Sequence, residues 1–220
     1  NLKNNFTIGI HDDLTNLSLI KSNFKVDKHQ EFLIYGYGSD GMVSAGKSIM
    51  KLVGDNTSKY VQGYFEYDSK KSGGVTIGNL RFSDYKIRST YYVENPSIVV
   101  VTKDTYFNLF EMLDKVKENG ILIINTSKTE QQLSNEISQK DKEIIKDRNI
   151  KIYKINAYEV ASKLGIKNKI SMIMEIVIIY LSKIIDYNFA KEELKRYVAD
   201  KFLKKGNDII GANQEAIEQA

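Results

Sequence analysis

The chain of 220 residues contains no cysteine. This absence excludes disulfide bonds, thiolate nucleophiles and any zinc or iron–sulfur site built from cysteine ligands. Only two histidines are present, His11 and His29, and both precede the first strand pattern. We expect them to be exposed residues of a connector rather than parts of a metal site or a serine–histidine nucleophile. The sequence therefore predicts no bound metal, and an electron-transfer centre would have to lie in another domain.

An excess of charge of one sign is also missing. The 32 Lys and Arg residues against 28 acids leave a net charge of only +4, without a polybasic block, so nucleic acid is not predicted as a partner. The best membrane candidate, residues 173–185, is interrupted by Glu175 and Lys183, and it is shorter than the roughly 20 apolar residues that a span needs. The polar opening at residues 1–5 predicts no signal peptide, and we expect a cytoplasmic protein without membrane contact.

Short apolar runs alternate with helical patterns along the chain. Strands are predicted at residues 32–35, 60–65, 75–82, 98–101, 121–124 and 150–155. Helices are predicted at residues 41–52, 106–117, 157–164, 170–185, 190–204 and 208–219, and the polar segment 127–148 is interpreted as an exposed helix or helical insertion. The alternation predicts a three-layer α/β/α sandwich with a largely parallel or mixed sheet and a helical C-terminal part. We divide the chain into a lead-in or linker, residues 1–29, and one domain, residues 30–220.

Two overlapping glycine motifs follow the first strand. Residues 36–41 read G-Y-G-S-D-G and match G-x-G-x-x-G, whereas residues 41–48 match the Walker A pattern of ATPases. The Walker interpretation is disfavoured because five residues separate Tyr35 from Gly41, because residues 42–45 already fit a helix, and because no strand ends in an aspartate suited to Mg²⁺.

The G-x-G-x-x-G interpretation predicts a loop between the first strand and a helix that begins near Asp40 or Gly41. Free backbone amides and the helix dipole could there receive a pyrophosphate. Glycine-rich turns also occur where no ligand binds, since tight turns need positive φ for any purpose. The candidate binding residues in this loop are Gly36, Gly38, Ser39, Asp40 and Gly41.

A second polar loop, residues 66–74, follows the second strand. If the first two strands run in the same direction, this loop reaches the same edge of the sheet as the glycine loop. An acid such as Glu66 or Asp68 would suit the ribose of NAD, whereas Lys70, Lys71 and Ser72 would suit a phosphate. The pattern indicates a nucleotide with a pyrophosphate and a further phosphate, as in NADP or coenzyme A; a solvated loop tip is the alternative.

The chain resembles the gamma-type domain of pyruvate:ferredoxin oxidoreductases. The resemblance is carried by residues 36–41, by residues 62–74 (Q-G-Y-F-E-Y-D-S-K-K-S-G-G) and by residues 86–91 (K-I-R-S-T-Y). It implies that residues 38–41 together with Lys70 and Lys71 help to hold coenzyme A. Family members commonly have a basic-Ile-Asn-Met sequence where residues 169–172 read K-I-S-M, so Ser171 is a departure at a candidate polar contact.

The resemblance also implies a context for the chain. The complete enzyme would oxidise pyruvate with coenzyme A to acetyl-CoA and CO₂, with thiamine diphosphate and iron–sulfur clusters in other domains or subunits, and would pass electrons to ferredoxin or flavodoxin. No catalytic residue is expected in this chain. Two alternatives stay open: an NADP-binding oxidoreductase domain, and a structural assembly domain without a nucleotide site of its own.

Overall fold

The structure is a computed structural model that describes residues 4–8, 14–20, 29–68, 73–166 and 169–220. The strands are β1 (Gln30–Tyr37), β2 (Tyr60–Tyr67), β3 (Val75–Ser83), β4 (Ile98–Val101), β5 (Ile121–Asn125) and β6 (Lys151–Ile155). The α-helices are α1 (Met42–Asn56), α2 (Glu130–Glu136), α3 (Gln139–Asp147), α4 (Ala157–Lys163), α5 (Ser171–Ser182), α6 (Tyr187–Phe202) and α7 (Asn207–Gln219). Short 3₁₀ turns cover Asp104–Asn108 and Leu203–Lys205.

All six strands form one mixed sheet with the order β2-β3-β1-β4-β5-β6. Strands β1, β4, β5 and β6 are parallel, whereas β3 is antiparallel to both β1 and β2. Because β2 and β1 are both antiparallel to β3, they run in the same direction. The predicted α/β class, the mixed sheet and the helical C-terminal part are confirmed.

The alternation of side chains along β1 divides the core into two layers. Phe32 and Ile34 face α1 and α5, where Ile49 and Ile173 are fully buried. Leu33 and Tyr35 face the opposite layer, which contains the chain that follows β4. Helix α5 is 12 residues long, and no helix among the described residues is long and apolar enough to cross a membrane.

The polar segment 127–148 forms two helices, each with a side-chain cap at its start. Thr129 and Gln132 form a reciprocal capping box on α2, and the Ser138 hydroxyl accepts a hydrogen bond from the Asp141 amide on α3. Such caps satisfy amides that would otherwise lack a partner, and they explain why so hydrophilic a sequence is helical.

The predicted helix at residues 106–117 is wrong, because the structure has only the 3₁₀ turn Asp104–Asn108 followed by irregular chain. Tyr106 and Phe107 are buried, and so are Met112, Leu113 and Val116. On one continuous helix these two groups would lie about 120° apart. The irregular chain lets both groups pack against the same face of the sheet.

The predicted exposure of His29 is also wrong. Its side chain is buried directly before β1, and both ring nitrogens lack a hydrogen-bond partner among the described residues. The carbonyl of His29 accepts a hydrogen bond from Lys117 Nζ at 3.0 Å, which ties this end of β1 to the chain before β5. His11 lies outside the described residues.

Candidate ligand site at the glycine loop

The glycine loop lies between β1 and α1, as the G-x-G-x-x-G interpretation predicts. Strand β1 ends at Tyr37, and α1 begins at Met42 with Gly41 as its N-terminal cap residue. The Walker A interpretation fails because α1 already begins at Met42, so residues 42–45, which would have to form the phosphate-binding loop before Lys47, are helical. Gly36 is still part of β1, and a Cβ there would lie 2.7 Å from Thr76 Oγ1, so this glycine permits close packing.

The buried side chain of Asp40 fixes the glycine loop through hydrogen bonds. Its carboxylate accepts hydrogen bonds from the amides of Tyr37 (2.7 Å) and Met42 (2.9 Å) and from the Thr102 hydroxyl (2.8 Å). Burial raises the pKa of Asp40, and these hydrogen bonds and the charge of Lys103 oppose that rise. Because Asp40 already occupies the amide of Met42 at the start of α1, a bound anion would have to use other donors of the loop.

The loop has an unusual backbone that brings it close to its neighbours. Ser39 has φ 82° and Gly41 has φ 94°, both in the left-handed region. A Cβ on Gly41 would lie 2.9 Å from Ser171 Cβ, so the first residue of α5 packs directly on the loop. Lys169 Nζ also donates a hydrogen bond to the Ser39 carbonyl at 3.2 Å, across 130 positions of the chain. Folding thus brings the sequence-predicted residue Ser171 to the glycine loop from a distant part of the chain.

The β2–β3 hairpin reaches the same edge of the sheet. The Gly38 amide donates to the Gly74 carbonyl at 2.8 Å, and a Cβ on Gly38 would lie 3.2 Å from backbone atoms of Gly73 and Gly74. The hairpin loop therefore ends against the glycine loop, as the shared direction of β1 and β2 requires. The candidate residues Lys70, Lys71 and Ser72 lie outside the described residues.

The two acids that would suit an NAD ribose, Glu66 and Asp68, both contact other parts of the β2–β3 hairpin. Glu66 Oε1 accepts a hydrogen bond from Asn79 at 2.8 Å, on the face of the sheet opposite α1. Asp68 lies beside Gly74, where a Cβ on that glycine would be 2.6 Å from Asp68 Cβ. Glu66 is therefore committed to the strand pair β2–β3.

The glycine loop occupies a topological switch point of the sheet. Strands β1 and β4 are parallel neighbours, but the chain after β1 enters α1 on one face, whereas the chain after β4 crosses to the other face. Connections that diverge in this way leave a crevice at the carboxyl ends of the two strands, where ligands of open α/β sheets bind. A ligand in this crevice would lie between side chains from the ends of both strands.

Lys103 is the residue that sequence reasoning missed. It lies two residues after the end of β4, is half-buried, and places its Nζ 3.4 Å from the centre of the Tyr37 ring. The nearby Tyr106 hydroxyl donates a hydrogen bond to the Gly36 carbonyl at 3.3 Å. Burial, followed by the charge of Asp40, raises the pKa of Tyr106 to about 12. The signal that could have identified Lys103 is its position at the end of the strand parallel to β1.

Comparison with known proteins gives a consistent family. The family model described as "Pyruvate ferredoxin/flavodoxin oxidoreductase" matches residues 31–220. A pyruvate-flavodoxin oxidoreductase of Trichormus variabilis is 35% identical over 219 residues, which are 98% of this chain and 18% of that protein. The chain therefore spans less than a fifth of the length of this curated relative.

Solved structures share the fold. The pyruvate oxidoreductase subunit PORC of Thermotoga maritima matches with a TM-score of 0.69 and 22% identity, covering 88% of this chain and 95% of the subunit. A 2-oxoglutarate:ferredoxin oxidoreductase of Magnetococcus marinus, solved with 2-oxoglutarate, coenzyme A and succinyl-CoA bound, matches with a TM-score of 0.63 and 18% identity over 88% of this chain and 30% of that one. By its sequence match over nearly its whole length, the chain belongs to the pyruvate ferredoxin/flavodoxin oxidoreductase family.

Proposed function

We propose that residues 30–220 form the coenzyme A-binding domain of a pyruvate:ferredoxin oxidoreductase. The complete enzyme oxidises pyruvate with coenzyme A to acetyl-CoA and CO₂ in the cytoplasm. Thiamine diphosphate and the iron–sulfur clusters belong to other domains or subunits, and electrons pass to ferredoxin or flavodoxin. This chain contributes binding and no catalytic group.

One observation carries this proposal: four separate segments converge on the crevice between β1 and β4. They are the glycine loop, the end of the β2–β3 hairpin at Gly74, Lys103 after β4, and Lys169 and Ser171 before and at the start of α5. Two lysines at a glycine loop suit a ligand that carries phosphates. The Magnetococcus protein, which shares the fold, was solved with coenzyme A bound.

Some residues of the proposed site would set the shape of the glycine loop, and others would supply groups that bind phosphate. Asp40 fixes the loop, and Gly38 and Gly41 allow its close contacts with the hairpin and with α5. Loop amides other than those of Tyr37, Gly38, Asp40 and Met42, which already donate within the protein, would receive the pyrophosphate of coenzyme A. Lys70, Lys71 and Ser72 would contact the phosphate on its ribose. The thiol would extend away from this chain, toward the domain or subunit that carries thiamine diphosphate.

The test is replacement of both Lys70 and Lys71 by Ala in the complete enzyme. Charge-assisted contacts to phosphate contribute about 1.5–3 kcal/mol, so we expect the KM for coenzyme A to rise by roughly tenfold or more. The KM for pyruvate should hardly change. Steady-state kinetics with coenzyme A and with dephospho-coenzyme A measure whether the lysines contact the ribose phosphate, since the double variant should discriminate less between the two thiols.

A matched control is available in the same chain. Lys204 and Lys205 are adjacent and exposed in the 3₁₀ turn Leu203–Lys205, far along the chain from the glycine loop. Their replacement by Ala removes the same charge and should leave both KM values unchanged. Equal discrimination between the two thiols in wild type and in the Lys70 and Lys71 variant would contradict the phosphate contact, and tight NADPH binding by the wild type would favour the NADP alternative.

A further inference from the structure

The outer edge of β2 is open. This strand ends the sheet, and no strand of the described residues pairs with its far side. It is eight residues long with a single charged residue, Glu66, and the side chains of Tyr60, Tyr64 and Tyr67 are 50%, 56% and 61% exposed. A long, apolar edge with unpaired N–H and C=O groups is a template for another strand.

The opposite edge of the same sheet differs. Strand β6 has only five residues, and two of them, Lys151 and Lys154, are exposed lysines. Short edges that carry lysine resist pairing with further strands, because a partner would have to bury or displace the charges. Among the described residues, one edge of the sheet is therefore protected against further pairing and the other is not.

A cleft lies beside the open edge, on the face of the sheet opposite α1. It has a volume of about 530 Å³, and its lining includes Gln62, Tyr64, Arg81, Tyr91 and Tyr92. We call it the Tyr64 cleft. The rings of Tyr64 and Tyr92 lie 5.3 Å apart between their centres, and Tyr91 and Tyr92 are each about half exposed. Exposed aromatic side chains gathered in this way are typical of an interaction surface.

The walls of the Tyr64 cleft are rigidly held. Buried Arg81 donates to Glu31 at 2.7 Å, to Gln62 at 3.0 Å and to the Tyr92 carbonyl at 2.7 Å. Gln62 in turn donates to the Ser89 carbonyl at 2.6 Å. These contacts fix residues 89–92, which form the other wall of the cleft, to strands β2 and β3. The cleft therefore exists before any partner arrives, and little ordering is needed on binding.

The chemistry of the Tyr64 cleft favours a peptide over a charged small molecule. Arg81 is engaged by three protein acceptors, and the exposed charges of the lining, Lys115 and Glu94, are of opposite sign. Tyrosine rings and an adjacent row of backbone donors and acceptors remain. Strand addition uses the backbone for affinity and a side-chain pocket for specificity, and this edge offers both.

We propose that an extended segment from another domain or subunit of the same oxidoreductase adds to the outer edge of β2 and inserts an apolar or aromatic side chain into the Tyr64 cleft. The inference rests on the proposed function, in which this chain is one part of a larger enzyme. The Trichormus relative has more than four fifths of its length outside the matched region, so such an enzyme has ample polypeptide to cover this edge.

Site-specific photo-crosslinking in the complete oxidoreductase tests the proposal. Tyr64 is replaced by p-benzoylphenylalanine, and Tyr153 on β6, which is 39% exposed, receives the same replacement as the matched control. After irradiation, mass spectrometry of the digested enzyme identifies the linked peptides. We expect position 64 to link to a segment outside residues 1–220, and position 153 to give no comparable product.

Amide hydrogen exchange of the unmodified complete enzyme provides a second measurement that needs no variant. The outward amides of β2 should exchange roughly a hundredfold more slowly than those of β6 if a strand covers them. Equal exchange at the two edges would overturn the proposal, and so would a crosslink from position 64 confined to a second copy of β2, a crosslink confined to its own chain, or no crosslink.

The same preparation separates this inference from the proposed function. Subunit composition by native mass spectrometry and the KM for coenzyme A report whether the chain belongs to a larger coenzyme A-dependent enzyme. An active enzyme with an unprotected β2 edge would overturn the docking inference alone. A chain isolated without further domains or subunits would overturn the proposed function.

Discussion

Two buried carboxyl groups, one before α1 and one on α5, differ in the number of hydrogen-bond donors around them. Asp40 before α1 is 4% exposed and accepts hydrogen bonds from Tyr37, Met42 and Thr102. Glu175 on α5 is fully buried, and neither of its oxygens has a hydrogen-bond partner among the described residues. A buried carboxylate costs little when donors surround it and a great deal when none do.

The difference determines which form each group adopts. Burial raises the pKa of Glu175 to about 8, and the charge of Lys201 and the Ser48 hydroxyl, which lies nearby but outside hydrogen-bonding geometry, only partly oppose this. Glu175 is therefore protonated at neutral pH and behaves as a polar core residue. Asp40 can use its carboxylate to shape the glycine loop because donors of the loop and of Thr102 surround it.

The largest effect is expected from Glu175→Gln, measured by urea unfolding as a function of pH. The folded state holds a proton that the unfolded state releases near pH 4.5, so the stability from Glu175 is full below that pH and is lost as the pH rises through about 8. Relative to the variant, the wild type should lose about 4 kcal/mol between pH 5 and pH 9.

The control for this pH profile is Glu118→Gln, the same chemical change on an exposed residue. Its stability should follow the wild type across the whole pH range. If the Glu175→Gln profile is parallel to the wild-type profile, Glu175 has hydrogen-bond partners or contact with solvent. That result would remove the contrast with Asp40.

Asp40→Ala should destabilise the chain by about 3 kcal/mol at pH 7, because the Met42 amide and the Thr102 hydroxyl lose their buried acceptor. Asp40→Asn keeps one acceptor oxygen and should cost about half as much. Urea unfolding measures both. If the two variants are as stable as the wild type, the hydrogen bonds of Asp40 do not stabilise the loop. The contrast between Asp40 and Glu175 would then be smaller than the structure indicates.

Gly41→Ala should cost about 2 kcal/mol, since alanine must adopt φ 94° and its Cβ would lie 2.9 Å from Ser171 Cβ. Gly165→Ala separates these two causes. Gly165 has φ 70°, and a Cβ added there would meet no described atom within 4 Å, so this variant carries the backbone strain alone and should cost about 1 kcal/mol. Thermal unfolding of both variants measures the difference, and equal losses would refute the contact between the loop and α5.

Lys103→Gln gives the smallest effect. It should raise the KM for coenzyme A in the complete enzyme by about threefold to tenfold, because a cation beside the glycine loop is lost, and change stability by less than about 0.5 kcal/mol. The pKa of Asp40 should rise further without the Lys103 charge. Lys204→Gln, an exposed lysine away from the loop, should leave the KM unchanged.

Much of the sheet could be predicted because β1, β4 and β5 contain continuous apolar runs, whereas β2, β3 and β6 mix β-branched or aromatic residues with polar ones between turn residues. The glycine loop and the start of α1 followed from the position of Gly36 and Gly38 after such a run and from the helical spacing of the residues beyond them. These signals are local, because period and turn residues act within a few positions of the chain. The helix predicted at residues 106–117 failed for the same reason: local spacing suited a helix, but both apolar groups had to reach one face of the sheet.

The amino-acid sequence by itself determined the α/β class, the place of the glycine loop and the lack of any cysteine-based centre. Only the tertiary structure decided that Asp40 fixes the loop, that Lys103 and Ser171 lie beside it, and that the side chains of Glu175 and His29 are buried without hydrogen-bond partners among the described residues. Strand formation depends on neighbours in the chain, whereas proximity, burial and the protonation of a carboxyl group depend on segments that meet only after folding.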